Sequence, residues 1–205
     1  MSDRIATLFA ETSLQSLVEQ HLPLLFQEYV ELYAQWSEVD LTVLACFEGE
    51  AGQTWTLVLT DLGLEVESGV TAKALLTVRG ELSDWEQSKA ALGHLLDEWT
   101  KRLPGMRIEP ALRLSWSRLR QLEKLSMSLQ LALMEVPGCA QTLRLRLDFG
   151  TSRSGSVADV YLALRYTDLL AVSRGESTVP RLLSEQRLRV EGNNRAFLEL
   201  FRALT

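Results

Sequence analysis

A chain of 205 residues with 46% hydrophobic and 23% charged side chains is long enough for one sizeable domain or two small ones, and apolar enough to bury a real core. Its formal net charge of -6 opposes nonspecific binding to nucleic acid or to anionic lipid surfaces. No run approaches the ~18 apolar residues of a membrane span. Acidic Asp3 and Glu11 near the start argue against a secretory signal, so a soluble cytoplasmic protein of bacterial type is expected.

Residues 4–37 read as helix, because Leu14, Leu17, Val18, Leu22, Leu25, Tyr29 and Leu32 recur at spacings of three and four. Pro23 falls inside this stripe and predicts a kink or a division into two helices. Ser13 or Thr12 is placed to cap the second part. Leu41–Phe47, Thr54–Thr60, Leu64–Glu67 and Lys73–Arg79 read as strands. The turn residues between them predict an antiparallel meander. Ser83 with Glu86 three residues on fits a capping box, and the helix it opens runs through Leu92, Leu95, Leu96 and Trp99 to Pro104-Gly105. A second helical stretch, Ala111–Leu125, carries Leu112, Trp116, Leu119 and Leu122. Its Arg113, Arg118, Arg120 and Lys124, diluted by Glu123, read as a solvated face.

Strands resume at Ser128–Met134 and, after a Pro137-Gly138 turn, at Thr142–Phe149. A flexible loop at 150–156 precedes a strand at Ala158–Arg165 and a helix at 166–174 that stops at Gly175. Pro180 opens a short helix to Leu183. An alternating strand then ends at Gly192-Asn193, and the amphipathic helix Arg195–Leu204 follows. Gln53–Leu59 parallels Gln141–Leu147, and Ala74–Arg79 parallels Val160–Arg165, each of the latter pair running into a helix. This order reads either as a duplicated helix–meander–helix unit, divided into 1–106 and 107–205, or as chance likeness between short alternating strands.

Chemistry is sparse. His21 and His94 are isolated and supply no converging metal ligands. Cys46 and Cys139 lie far apart beside strand-like residues and read as buried free thiols. Gly150–Gly155 lacks the lysine of a phosphate loop, and no Gly-x-Ser-x-Gly element occurs. No catalytic residue, metal or cofactor is assigned, and a non-enzyme is expected. Leu143, Leu145, Leu147, Val160, Leu162 and Leu164 supply an apolar sheet face. Leu169, Leu170, Leu182, Phe197, Leu200 and Phe201 supply helices to cover it.

Residues 128–205 resemble the sterol carrier protein type 2 domain, the nonspecific lipid-transfer family. The features that carry the resemblance come in chain order. Strand Val160–Leu164 leads into Asp168-Leu169-Leu170 and a helix ending at Gly175. The Pro180-led short helix follows, then the strand Arg187-Leu188-Arg189-Val190-Glu191-Gly192-Asn193 and a terminal helix. In the first half, Trp55–Val66 and Ser83-Asp84-Trp85 share elements of the same pattern. Three departures stand out. Gln186 replaces the glycine before the strand, Leu182-Leu183 replace an Ala-Phe pair, and 150–157 is a loop where the family has a hairpin.

The resemblance implies an α+β fold with a five-stranded, antiparallel-rich sheet covered by helices. It also implies an apolar tunnel for a fatty acyl, sterol or isoprenoid lipid. The side chains implied to line that tunnel are Leu145, Leu147, Leu162, Leu164, Leu169, Leu170, Leu182, Leu183, Phe197 and Phe201. Close packing is the competing reading, in which the same side chains simply fill a core. The alternative function is an accessory module that holds a protein partner or a second copy, as in isoprenoid quinone metabolism, whose accessory factors resemble this domain too.

Overall fold

Alternating apolar and polar residues fold into the strands of one sheet. In this computed structural model residues 4–29, 40–49, 52–101, 116–150 and 157–204 are described, with the side chains of 116–119 and 201–204 outside that description. The strands are β1 (Leu41–Glu48), β2 (Gln53–Leu59), β3 (Leu64–Ser68), β4 (Leu76–Glu81), β5 (Met127–Met134), β6 (Leu143–Phe149), β7 (Val160–Arg165) and β8 (Arg189–Gly192). They form an 8-stranded sheet in the order β3-β2-β1-β4-β6-β5-β7-β8. The fold is α+β and antiparallel-rich, as expected. The eight strand segments read along the sequence are all present, but the five-stranded sheet implied by the resemblance is eight-stranded, because β4 and β6 pair and fuse the two halves into one sheet.

The predicted meander holds only for β1, β2 and β3. β4 lies parallel to β1, and β7 lies parallel to β5. Parallel neighbours need a crossover. In the first half the β2–β3 hairpin and the return segment after it provide one. Gly69 N donates to Thr54 O at 2.8 Å, Thr71 N to Thr56 Oγ1 at 3.0 Å and Leu75 N to Thr42 O at 3.0 Å. The chain thus retraces β2 and β1 before β4 starts on the far side of β1.

The helices are α1 (Arg4–Glu11), α2 (Leu14–Ser16), α3 (Leu22–Gln27), α4 (Leu82–Thr100), α5 (Trp116–Leu125), α6 (Tyr166–Ser173), α7 (Val179–Ser184) and α8 (Asn194–Leu204). The N-terminal break falls at Thr12–Ser13, where Ser13 Oγ accepts from Ser16 N at 3.2 Å and caps α2. Pro23 does not divide the helix. A π turn, Leu17–His21, lies just before it, and Pro23 sits in the first turn of α3, where its missing N–H does least harm. Residues 30–37 of the predicted helix lie outside the described residues, as do 102–115, which include Pro104-Gly105. The capping box at Ser83 is corrected. α4 begins at Leu82 directly from β4, with Glu81 as an N-cap whose side chain makes no capping hydrogen bond, so Ser83 is already helical.

Strand alternation sorts the sheet into two faces. One face bears Trp55, Ala45, Val78, Leu147, Leu129 and Leu162, and the described helices pack there. α5 and α8 cover one end of its second half through Leu122 and Leu200. α4, α6 and α7 cover the other end through Ala91, Leu95, Tyr166 and Leu182. α2, the π turn and α3 cover the first half through Leu14, Val18 and Leu22, beside Trp55, whose Nε1 donates to Glu19 at 2.9 Å. α1 packs on α4. The other face carries Glu65, Glu67, Arg79, Arg144, Arg146, Arg165 and Arg189, and no described helix joins a core cluster with it.

Candidate functional site

The candidate site is the middle of the helix-covered face. Its second half is capped from both ends by separate helix groups, with their own buried cores. Between them, register aligns Val190, Leu162, Leu131, Leu145 and Gly80 in one row across β8, β7, β5, β6 and β4. Each of these four aliphatic side chains is only half-buried. Leu131, Leu162 and Val190 touch both clusters, which places them at the junction of the two helix groups. Gly80 keeps the row flat: a Cβ there would stand 3.1 Å from Leu145 Cδ2. Aliphatic carbon held at this position without full burial is a surface that an apolar guest can complete.

The sequence-predicted residues distribute unevenly around this row. Leu145, Leu147, Leu162 and Leu164 all stand on the covered face. Leu147 and Phe197 pack in the α5/α8 cluster, and Leu164, Leu169, Leu170 and Leu182 in the other. Leu182 is 1% exposed, a core residue, whereas Leu183 is 37% exposed on the outer side of α7. The side chain of Phe201 lies outside the described residues. Leu131 and Val190, equal members of the row, were missed, although their even spacing from Leu129 and Leu188 carried the signal.

The polar surroundings fix the helices. Tyr166 donates its hydroxyl to Ala91 O at 3.1 Å, tying α6 to α4, and burial pushes its phenol up. Cys46 and Cys139 are free thiols, Cys46 buried as expected but Cys139 only half-buried, and the burial it has pushes the Cys139 thiol up. Among the described residues no cluster of His, Cys, Asp and Glu can hold a metal, and no helix is long and apolar enough to cross a membrane. Two surface depressions, of about 270 Å³ by α1 and α3 and about 470 Å³ by β7 and β8, are lined by none of the ten predicted residues.

No protein-family model matches the sequence, and no curated protein matches it. Among solved structures, the chain is similar to a sterol carrier protein 2 from Yarrowia lipolytica in its apo form. That pair is 15% identical over 41% of this chain and 76% of that one, with a TM-score of 0.29. It is similar to sterol carrier protein 2 like 2 from Aedes aegypti at 15% identity, over 55% of this chain and 94% of that one, with a TM-score of 0.33. It is also similar to the inverting sec-alkylsulfatase Pisa1 from Pseudomonas sp., at 13% identity over 60% of this chain and 23% of that one, with a TM-score of 0.28. The first two bear the name of the family that the C-terminal motif resembles. At such scores the likeness carries no argument.

Proposed function

We propose that this protein binds a hydrophobic ligand, a fatty acyl, sterol or isoprenoid lipid, without catalysis, along the row Val190–Leu162–Leu131–Leu145. The observation that carries the reading is the incomplete burial of these aliphatic side chains between two separately packed helix groups. Removing the rest of their surface from water is worth about 25 cal/mol per Å² before the costs of ordering the guest. Leu147 extends the floor, and Leu169, Leu170 and Phe197 flank it, while Leu164 is buried in the α4/α6/α7 core beneath. Displacement of a fluorescent fatty acid tests the reading. The parent chain takes up the probe, and Val190→Trp, which fills the row at the sheet edge, abolishes uptake while the fold persists. A parent chain that carries no lipophile in native mass spectrometry and takes up no probe sinks the proposal.

A second reading, an accessory module for a protein partner or a second copy, draws on Val179 and Leu183 of α7 and Leu198 of α8, all exposed apolar side chains. It predicts self-association or complex formation that Leu198→Ser weakens, with lipid uptake unchanged.

A further inference from the structure

We propose that the face of the sheet opposite the helices holds a binding site for a small organic oxyanion, a metabolite bearing a phosphate or a carboxylate, in the depression beside β7 and β8. This site is independent of the apolar row, which lies on the other side of the same strands. The depression measures about 470 Å³, the size of a metabolite pocket. Its floor is Met134, Tyr161 and Ala163, an apolar and aromatic platform from β5 and β7.

Three guanidinium groups rim that floor: Arg165, Arg187 and Arg189. Register explains the convergence. Met134 faces Arg165 and Ala163 faces Arg189, so both arginines leave adjacent strands on the open side. Arg187 comes from the α7–β8 turn and is clamped. Its Nη1 donates to Glu185 at 3.1 Å, and its Nη2 to the Asp168 carboxylate, which is 3% exposed. The lining holds three cations and one carboxylate, and each cation is ion-paired, Arg165 with Glu135, Arg187 with Asp168 and Glu185, and Arg189 with Glu191, so a ligand anion has to displace the exposed partners. The carboxylates that pair with Arg165 and Arg189, Glu135 and Glu191, are themselves exposed. Such surface pairs are weak and yield to a better oxyanion. The first turn of α6 also borders the depression through Thr167 and Asp168, and its N-cap, Arg165, gives it no side-chain acceptor.

Backbone strain points to the same place. Among the described residues three non-glycine residues have positive φ: Ser126, Glu135 and Gln186. Gln186, at φ 57°, lines the depression, and Glu135, at φ 58°, holds Arg165. Gln186 closes α7, with its N–H on Leu183 O at 3.1 Å and Arg187 N–H on Leu182 O at 2.9 Å. Glycine serves that position without a Cβ penalty. Here a residue that lines the depression occupies it, at a cost in stability. Strain of this kind gathers at functional sites.

Titration calorimetry of the full chain with phenyl phosphate and with phenylacetate, and with phenol as the uncharged control, tests the site. At least one anion binds with a Kd of about 1 mM or tighter, and phenol does not. Binding of the phosphate alone assigns a phosphate ligand, and of the carboxylate alone a carboxylate. Arg165→Gln and Arg189→Gln, both at exposed positions that leave folding intact, each weaken binding about tenfold. Arg144→Gln, on the same face outside the depression, leaves it unchanged. Gln186→Gly unfolds at a higher temperature than the parent yet binds more weakly. No heat from either anion at about 10 mM, or binding that Arg165→Gln and Arg189→Gln leave intact, overturns the proposal. So do equal losses in Arg144→Gln and a glycine variant that binds like the parent.

Discussion

Asp97 and Glu98 are neighbours on α4 with opposite surroundings, and each is open to a direct test. Asp97 is 5% exposed and accepts from Ile5 N at 3.1 Å and Ala6 N at 2.9 Å, so one buried carboxylate seats the N-terminus of α1. Charge-assisted bonds to otherwise unpaired helix N–H groups are strong, and Asp97→Ala is expected to lower stability by about 2 kcal/mol in urea denaturation. Glu98 bonds to Lys101 and, at 2.8 Å, to Arg174 Nε, joining α4 to the end of α6. The hydrogen bond from Lys101, then that from Arg174, holds its carboxyl down at about 2. A depressed folded value means that its contribution is complete above the ordinary carboxylate range and fades as the pH drops through that range towards 2. The stability gap between the parent and Glu98→Gln should therefore be constant near neutrality and close in acid. A gap that widens in acid refutes the linkage. Neither role was legible in the sequence, because an Asp-Glu pair on a helix looks like solvated charge until the neighbouring helices are placed.

At the level of elements, period was readable and neighbourhood was not. β2, β5, β6 and β7 fall within two residues of their predicted bounds, because alternation is a property of the segment itself. The parallel pairing of β4 with β1 escaped, since nothing in β4 records which strand lies beside it. The capping box at Ser83 failed for a related reason: a strand that turns straight into a helix moves the cap to its own last residue, Glu81. Gly93 shows the same limit. On a helix of ordinary periodicity it reads as a weakness, yet a Cβ there would lie 2.8 Å from both Ala6 Cα and Phe9 Cβ. It is the point where α1 rests on α4. Alanine improves helix propensity by about 1 kcal/mol, but the overlap with backbone cannot relax without lifting α1. Gly93→Ala is expected to cost about 2 kcal/mol net by chemical denaturation, and to expose the amides of α1 to faster hydrogen exchange.

The whole molecule depends on the seam between β4 and β6. The order of pairing in β2-β1-β4 repeats in β6-β5-β7: an antiparallel hairpin, with a later strand parallel to its first member. That recurrence supports the division into halves near residue 106 as a proposal, the boundary itself lying outside the described residues. The sequence carried the likeness but left open one sheet or two, because strand edges are matched by backbone, which every residue shares. The seam is secured by Asp148, 2% exposed, which accepts from Arg79 Nε of β4 at 3.1 Å and from Arg146 Nε of its own strand at 2.8 Å. α4 crosses from the first half to pack Ala91 and Leu95 against Leu133, Leu143 and Leu164 of the second. A fragment 107–205 therefore loses the partner of β6, the cation facing a buried carboxylate and part of its core cover. An open edge and a bare apolar patch seek another chain. Sedimentation of that fragment should show association or aggregation, not a folded monomer, whereas Asp148→Ala in the intact chain, which keeps edge and cover, costs only about 2 kcal/mol and stays monodisperse. A well-dispersed monomeric spectrum from the fragment would mean that the second half is a domain in its own right and the seam merely a contact between two finished units.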